Sequence, residues 1–559
     1  MASYSLNPYI SFVESRLFPG FIQHAVFHRL TGEIVEPSAR VREVLLAIKS
    51  NSPDLTNDVN LQPLIQNQFL VSEGFDPLAP LLDCYVTRPI QNPAIAYRSH
   101  TGEWMLVRTS MEHTVYSRKR DELPPIIEEQ LSPLAAAIFL AADGTGTLQQ
   151  IFNRLRDGTS LLADAEFRAA IDFLTTQERQ LIKFTRRRED LDDPFTFVNI
   201  IPRNLYHSER KDQPRPDSSS ETIIDFHLHD IEDAGWEFDQ IEPTVNHSFR
   251  FPHEALGGLD YASRFCLSTL RPEVVPLLDH SARLEVLEVG GGTGTFASSF
   301  IKQAASLIDV DYHILDLSPA LMTNQRKLLA ELLPESKHFH QDATAFDLPG
   351  RAFDLIVSNE VIADFPVAPV ARNAAGGWQG EGAYYVDKYE LEVRDAPDSF
   401  VVNAGVFRFI ERAWKHLTPG GTLIVSEYGS DRRYPAASFN LNHDEYTIHF
   451  GHVVACATKV GFECRLLTLQ EFLNFDVDVP VLNGREEHLL CLNHVLKNYG
   501  AALPYAVIAK SEFESRFAGV VEQTGLIGYS FSPLKTGFHF GPNIRDFLVL
   551  IMHKPRQGD

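Results

Sequence analysis

A glycine-rich segment lies where a strand is predicted to meet a helix. Residues Gly290–Thr295 read GGGTGT, they follow the apolar run Leu284–Val289, and Phe296–Ala304 has the pattern of a helix. The apolar run is typical of a buried parallel strand. Glycines let the backbone turn tightly and approach a ligand, because no Cβ stands in the way. The order of strand, glycine turn and helix is that of the first half of a doubly wound nucleotide-binding fold.

Acidic residues close the strands that should follow. Asp316 ends the predicted strand Tyr312–Leu317, where a carboxylate would hold ribose hydroxyls. Asp342 follows the next strand and is suited to accept a hydrogen bond from an adenine amino group. The predicted cofactor-binding residues are Glu288, Gly290, Gly292, Gly294, Asp316, Leu317, Asp342, Ala343 and Asn359.

The glycine run alone leaves the cofactor open. Gly292-x-Gly294-x-x-Ala297 also satisfies the dinucleotide fingerprint, so a dehydrogenase that uses a nicotinamide cofactor fits this motif. The full pattern, with Glu288 two residues before Gly290 and acids after the next two strands, resembles class I S-adenosylmethionine (AdoMet)-dependent methyltransferases. That resemblance implies AdoMet as the cofactor and an α/β fold with a doubly wound, Rossmann-like domain. An inactive scaffold is the third interpretation.

Further segments resemble the MidA family, which includes a mitochondrial complex I assembly factor that is a protein-arginine methyltransferase. The likeness extends from about residue 245 to 552. The matching pieces are His313–Leu321 with Gln325, Ser358–Ile362 with Phe365–Val367, Leu423–Gly429, Glu445–His449, and Thr468 with Phe472 and Leu473. Ala363 and Glu427 stand where the family has Asp. These departures lie where the substrate should sit, so the resemblance implies the cofactor more directly than the substrate.

An arginine acceptor would need carboxylates. A guanidinium stays protonated at neutral pH and is a poor nucleophile while charged. Carboxylates could hold it through bidentate hydrogen bonds and accept a proton as the methyl group adds. The predicted catalytic residues are Glu360 after the fourth strand, Glu427 after the fifth, Asp364, and His449 as a proton acceptor or orienting group. Glu360 could instead cap a helix, and His449 could be a buried structural histidine.

A polar segment, His207–Glu221, divides the chain, since it contains two prolines and no apolar residue. The sequence before this segment is predicted to form two similar units. The second of them shows helices beginning at Ser132 and Thr147, a helix over Phe167–Thr175, and a closing strand at Gln180–Phe184. Residues Asp143–Thr147 between the first two helices are predicted to form a turn. The predicted domains are two winged-helix-like units at 1–95 and 96–205, a linker at 206–222, and a methyltransferase domain at 223–559 with a substrate-loop insertion at about 370–400.

The stretch Leu131–Phe152 resembles the small PqqD-type winged helices that bind leader peptides during ribosomal-peptide maturation. That resemblance implies that the N-terminal region selects a protein or peptide substrate, in one version through a leader segment. In the insertion, glycines and aromatic residues between Gly376 and Tyr385 suit a mobile loop that grips substrate. An ordinary packed excursion is the alternative.

Composition excludes some partners. With 50 Lys and Arg against 74 Asp and Glu, the net charge of −24 argues against binding the nucleic acid backbone. The N-terminus lacks the features of a signal peptide, and the apolar runs are too short to cross a bilayer. The five cysteines form no C-x-x-C, and His227-x-His229-Asp230 lacks further ligands, so we predict no metal site. We expect a cytoplasmic protein without membrane association and leave a homodimer open.

The leading hypothesis from sequence is an AdoMet-dependent N-methyltransferase that acts on arginine in a protein or a ribosomally synthesised peptide. One alternative is a partner-binding assembly factor with little or no catalytic activity. The other is a methyltransferase for a small molecule or for a different peptide side chain.

Overall fold

A computed structural model of the chain describes two long stretches with gaps. The described residues are 4–14, 24–28, 30–31, 34–35, 38–49, 62–66, 68–72, 74–88, 94–109, 125–156, 160–176, 179, 181–186, 244–279, 283–334, 337–440, 443–484, 486–537, 539 and 541–556. The predicted linker at 206–222 and the motif at His227 lie outside them. Within them, no helix has the length and apolarity that a membrane span requires.

The chain forms two compact units, each assembled from three segments. Unit 1 comprises Met1–Pro216, Leu482–Pro504 and Ser511–Ser530, and unit 2 comprises Asp217–Val481, Tyr505–Lys510 and Phe531–Asp559. The sequence predicted a single domain over 223–559, whereas two helical segments of that range belong to unit 1. In unit 1, for example, Ala96 and Ile527 exchange backbone hydrogen bonds of 2.9 and 2.8 Å.

Unit 1 combines small antiparallel sheets with helices. The sheets have the strand orders β1-β5, β2-β3-β4, β7-β8-β9 and β10-β6-β11. The strands are β1 (Tyr4–Leu6), β2 (Ile10–Glu14), β3 (His24–His28), β4 (Ile34–Val35), β5 (Leu70–Ser72), β6 (Tyr85–Thr87), β7 (Ala94–Arg98), β8 (Trp104–Thr109), β9 (Ile126–Gln130), β10 (Asp143–Thr147) and β11 (Lys183–Thr185). The helices, numbered in chain order with those of unit 2, are α1 (Ala39–Lys49), α2 (Gln62–Gln66), α3 (Pro133–Ala141), α4 (Leu148–Leu155), α5 (Ala165–Leu174), α14 (Glu486–Asn498) and α15 (Lys510–Thr524).

Helix starts in unit 1 agree with the sequence prediction. Ser132 caps α3 by accepting a hydrogen bond from the Ala135 amide, and Thr147 and Gln150 form a reciprocal capping box at α4. The predicted turn at 143–147 is wrong, because this segment is strand β10. It pairs with β6 through an irregular register in which Asp143 faces Thr87. Gly144 has φ +82°, a conformation that favours glycine. The glycine that this strand requires is also typical of turns, which is why the sequence indicated a turn here.

Unit 2 is built on an eight-stranded sheet, which confirms the predicted α/β, doubly wound fold. Seven strands follow the order β14-β13-β12-β15-β19-β26-β23, and β22 pairs with β19. The first five are parallel, and β26 runs antiparallel to both of its neighbours. Helices cover both faces: Phe296 and Phe300 pack on one, Phe409 and Phe450 on the other. Within this sheet, β13 lies beside β12 and β14 lies beside β13, and the chain then crosses to β15 on the opposite side of β12.

The elements of unit 2 alternate along the chain as a doubly wound fold requires. The strands are β12 (Arg283–Val289), β13 (Asp309–Asp316), β14 (His338–His340), β15 (Phe353–Asn359), β16 (Ala368–Arg372), β17 (Trp378–Gln379), β18 (Ser399–Val402), β19 (Leu417–Ser430), β20 (Ala437–Asn440), β21 (His443–Tyr446), β22 (Ile448–His449), β23 (Glu463–Thr468), β24 (Pro480–Leu482), β25 (Phe531–Pro533) and β26 (Phe547–His553). The helices are α6 (Val245–Ser248), α7 (Tyr261–Thr269), α8 (Thr295–Ala304), α9 (Pro319–Leu328), α10 (Ala383–Tyr389), α11 (Ala404–His416), α12 (Phe450–Val460) and α13 (Leu469–Leu473).

The insertion predicted at about 370–400 contains regular structure. Strands β17, β16 and β18 form a small antiparallel sheet, and α10 lies between β17 and β18 in the chain. Trp378 contacts Phe400 edge-on, with ring centroids 5.2 Å apart, whereas Tyr384 is exposed. The segment therefore has the packed form that the sequence left as an alternative, and a role in gripping substrate stays a prediction.

Candidate functional site

A pocket opens at the carboxyl ends of β12, β13 and β15, where doubly wound sheets bind ligands. It is lined by ten of the predicted site residues: Glu288, Gly290, Gly292, Asp316, Leu317, Asp342, Ala343, Asn359, Glu360 and Asp364. Gly294, Glu427 and His449 are not among its lining residues.

Glycines shape the turn after β12. Gly290, Gly292 and Gly294 have φ of +75°, +51° and +85°, a region that L side chains rarely adopt. A Cβ on Gly290 would lie 2.4 Å from a methyl group of Val361, so the turn also packs tightly. A Cβ on Gly292, in contrast, would meet no protein atom within 4 Å. Since Gly292 lines the pocket, its bare Cα leaves room for a ligand against the backbone.

The two acids predicted for the ribose and the adenine line this pocket. Asp316 is buried, and its oxygens accept hydrogen bonds from the Ser318 amide at 2.9 Å and from Gln325 Nε2 at 2.6 Å. Asp342 accepts a 2.7 Å hydrogen bond from the Thr344 amide, which fixes the turn that carries Ala343. Both carboxylates are thus held in place at the pocket wall by the protein, which fits the binding of an adenosyl group.

Glu288 lies beneath the glycine turn and is almost fully buried. Burial raises the pKa of its carboxyl group to about 8, although the Tyr312 hydroxyl donates a 3.1 Å hydrogen bond to it. The pKa is raised further by the nearby carboxylate of Asp316. Glu288 is therefore mostly protonated at neutral pH.

Glu360 links helix α6 to the end of β15 through hydrogen bonds. Its carboxylate accepts hydrogen bonds from the Val245 amide at 2.7 Å, the Asn246 amide at 3.1 Å and Asn359 Nδ2 at 3.1 Å. Asn359 in turn accepts a 2.7 Å hydrogen bond from the buried Tyr261 hydroxyl. Burial raises the pKa of Glu360 to about 7, against the effect of these donors. The helix-capping role left open by sequence is present, but the capped helix precedes Glu360 in the chain.

Glu427 does not line the pocket, but it contacts the segment that follows β15. One oxygen accepts a 2.8 Å hydrogen bond from the Tyr428 amide and the other a 3.3 Å hydrogen bond from the Ala363 amide. Burial raises its pKa well above the usual range, and the carboxylates of Glu360, Asp364 and Glu445 raise it further. The structure therefore brings three of the four predicted catalytic residues within electrostatic reach of one another.

His449 is not part of this group. It caps α12, because its Nδ1 accepts a 3.2 Å hydrogen bond from the His452 amide, and its ring stacks on that of His452 at 3.7 Å. Burial and the neighbouring His452 lower its pKa to about 4. The arrangement has the features of the buried structural histidine that the sequence left as an alternative.

Helix α6 was absent from the sequence prediction. It contributes Thr244, Asn246 and His247 to the pocket wall. Thr244 caps it by accepting a 3.0 Å hydrogen bond from the His247 amide. The capping threonine is the one local sequence signal, and it is weak in a helix of four residues.

Glu285, Asp311 and His313 carry potential metal ligands within 4.8 Å of one another. An ammonium group of the protein occupies this cluster, because Lys337 Nζ lies 2.6 Å from Asp311 and 3.2 Å from His313 Nε2. This arrangement is that of a structural ion-pair cluster.

Comparisons with known proteins agree with the geometry. Residues 268–436 match the profile of a family described as "Putative S-adenosyl-L-methionine-dependent methyltransferase". A release factor glutamine methyltransferase from Koribacter versatilis is 24% identical over 251 residues, which cover 40% of this chain and 82% of that protein.

Two solved structures from Burkholderia thailandensis are also similar. One is an uncharacterized protein with 19% identity and a TM-score of 0.33, and the other, bound to S-adenosyl-homocysteine, has 18% identity and a TM-score of 0.31. Each match covers 61% of this chain and 94% of the solved chain.

The pocket, its glycine turn and the family match define the chain as an AdoMet-dependent methyltransferase, with AdoMet as its cofactor. The nicotinamide alternative is set aside, because the match covers the glycine turn and both strand-end acids. The residues present fit the cofactor, since Gly292, Asp316 and Asp342 line one pocket and a Cβ on Gly292 would meet no protein atom within 4 Å.

We expect Gly292→Ala to weaken binding of S-adenosylhomocysteine by about 10-fold or more, because the new methyl group would project into the pocket. Isothermal titration calorimetry measures the affinity. Gly350→Ala is a matched control for backbone strain, since Gly350 has φ +74° and equal space around its Cα but lies outside the pocket. Equal affinity in both variants would contradict the assignment of the pocket.

Glu288→Gln tests the buried carboxyl group through the pH dependence of stability. The folded-state pKa of about 8 exceeds the ordinary value of 4.5, so the folded protein binds this proton more tightly than the unfolded chain. This group therefore lowers the free energy of unfolding as pH rises from about 5 to about 8. Relative to Glu288→Gln, the unsubstituted protein should lose stability over that range in urea denaturation. A constant difference would show that the carboxyl is not protonated, and exposed Glu331→Gln is the control.

Proposed function

We propose that this methyltransferase transfers the methyl group to a basic nitrogen, and that the acceptor is an arginine side chain of a protein or peptide. The observation that carries the proposal is the concentration of carboxylates where the pocket is lined by the residues that follow β15. Glu360 and Asp364 line the pocket, with Glu427 and Glu445 in electrostatic reach of them. No Lys or Arg is among the described residues that line it.

A group of neighbouring carboxylates favours a cationic acceptor. Burial raises the pKa values of Glu360 and Glu427, and neighbouring carboxylates raise them further, so a bound cation would relieve electrostatic repulsion. A guanidinium also offers several N–H donors in one plane, which match carboxylate oxygens. A neutral amide or hydroxyl acceptor would not relieve this repulsion.

The carboxylates have different capacities for the acceptor. A carboxylate has about four lone-pair positions, and three donors already occupy Glu360. Glu360 can therefore accept about one more hydrogen bond, which is too few for the bidentate contact predicted from sequence while α6 remains in place. Asp364 also lines the pocket and is the second carboxylate at this position, so we assign it the main contact with the acceptor.

Proton removal is the second requirement. AdoMet supplies the electrophilic methyl group, and the acceptor nitrogen must lose a proton as the new N–C bond forms. A carboxyl group with a pKa of about 7 is a better base at neutral pH than an ordinary glutamate. Glu360 is suited to take this proton through its remaining lone pair, while Asp364 orients the nitrogen.

Selection of the substrate by unit 1 is a separate part of the proposal. Its support is a second compact unit with its own hydrophobic core, in which α3, α4 and α5 accompany the three-stranded sheet β10-β6-β11. A photo-reactive acceptor peptide should crosslink to this unit as well as to unit 2. Crosslinks confined to unit 2 would contradict selection by unit 1.

The acceptor class is tested by incubating the protein with AdoMet and arginine-containing peptides and proteins, followed by tandem mass spectrometry. We expect one or two methyl groups on arginine nitrogens. Methyl groups on glutamine, the residue named in the Koribacter relative, would overturn the arginine assignment and keep the methyltransferase class. Methylation of small molecules alone would overturn the proposal of a protein or peptide substrate.

Asp364→Asn and Glu360→Gln should separate acceptor binding from cofactor binding. Asp364→Asn is expected to lower kcat/KM for the acceptor by about 10- to 100-fold with unchanged AdoMet affinity, because one charged hydrogen bond is lost. Glu360→Gln should lower both kcat/KM for the acceptor and the affinity for AdoMet. The reason is that its amide group would face an N–H of α6, a helix that lines the cofactor pocket. Glu331→Gln is again the exposed control. Unchanged kcat/KM in Asp364→Asn would contradict the role of Asp364.

A further inference from the structure

Gln325 is hydrogen-bonded to both the glycine turn and Asp316, although it does not itself line the pocket. It is fully buried on α9. Its Nε2 donates a 2.9 Å hydrogen bond to the Gly292 carbonyl and a 2.6 Å hydrogen bond to Asp316 Oδ2. Because both partners are acceptors, the amide nitrogen must face them, and the orientation of the side chain is determined.

The glycine turn is also packed against this side chain. A Cβ on Gly291 would lie 2.9 Å from Gln325 Nε2, and a Cβ on Gly294 would lie 3.2 Å from the Gln325 Cα. Gly294, which does not line the pocket, therefore has a reason to be glycine that differs from that of Gly292. The turn, α9 and the end of β13 meet at one amide group.

We propose that Gln325 is a positioning residue for AdoMet, which holds the Asp316 carboxylate and the Gly292 backbone in the arrangement that accepts the adenosyl group. The side chain must donate two hydrogen bonds while remaining neutral. A carboxyl group has the same shape but can donate only one hydrogen bond, and only when protonated. The inference depends on AdoMet as the cofactor and is independent of the acceptor.

The charges around Gln325 come from several elements. Asp316 approaches it from β13, Glu288 from β12 is coupled to Asp316, and Tyr312 donates to Glu288. Arg326 and Lys327 follow Gln325 in the last turn of α9. The closest charge is thus an acid, which would oppose a second acid at position 325.

Gln325→Glu tests the proposal through the pH dependence of ligand affinity. At pH 5.5 the introduced carboxyl, with its pKa raised by Asp316, retains a proton and donates to Asp316 in place of the amide. At pH 8.5 the two carboxylates repel each other. Relative to the unsubstituted protein, calorimetric affinity for S-adenosylhomocysteine should fall by about 10-fold or more between these pH values.

Gln325→Met provides a test that does not depend on the buried charge. It retains the volume without the donors, so affinity for S-adenosylhomocysteine should be about 10- to 100-fold weaker at every pH. Gln303→Glu, on α8 and outside the pocket, is the control for adding a charge to a helix. Thermal unfolding without ligand identifies variants that fail to fold.

The outcomes discriminate between positioning and simple packing. A packing role predicts that Gln325→Glu and Gln325→Met lose thermal stability, with affinity losses that do not depend on pH. That result, or unchanged affinity in Gln325→Met, would overturn the proposal. If Gln325→Glu does not fold, unweakened binding by Gln325→Met still overturns it, and weakened binding with retained thermal stability supports it.

Discussion

The site depends on a backbone turn that only glycine can form. Between β12 and α8 the chain takes left-handed conformations at three positions, and it passes so close to Val361 and Ile314 that a single methyl group would clash at two of its glycines. This contact between backbone and neighbouring side chains fixes where β15 and β13 end relative to β12. The acids at those strand ends then face a common pocket, because the carboxyl ends of parallel strands meet at one edge of the sheet.

Buried acids give the pocket its electrostatic character. Glu288, Glu360 and Glu427 all have raised pKa values with burial as the main cause, yet their surroundings differ. Glu288 has a tyrosine hydroxyl as its donor, whereas Glu360 is held by backbone amides of α6. The protein thus maintains a mostly neutral acid next to the glycine turn and an acid that ionises near neutral pH at the end of β15. Negative charge at this end of the pocket also suits a cofactor that carries a positive sulfonium centre.

The sequence predicts the parts of the site that depend on local pattern. The strand–glycine–helix order and the strand-end acids follow from hydrophobic periodicity and spacing, and the parallel sheet of unit 2 confirms that fold. Contacts between distant segments are harder to predict. Nothing near Glu360 in the sequence indicates that it binds Val245 and Asn246, over a hundred positions earlier. The contacts of His449 are equally hidden in the sequence, since a histidine after a strand can serve chemistry or cap the next helix, and only the structure shows its cap and its stacked partner His452.

Unit 1 has a consequence for how the chain folds during synthesis. Its core includes Ile527, and its strand β7 is hydrogen-bonded to that residue, so the unit lacks part of its interior until residue 527 has been translated. The N-terminal segment must wait, with apolar surface uncovered, while the intervening sheet of unit 2 is translated. The order of the segments therefore leaves apolar surface of unit 1 uncovered in nascent and truncated chains. A chain that stops before residue 511 would lose a helix of unit 1 even though every strand-end acid of the cofactor pocket had been made.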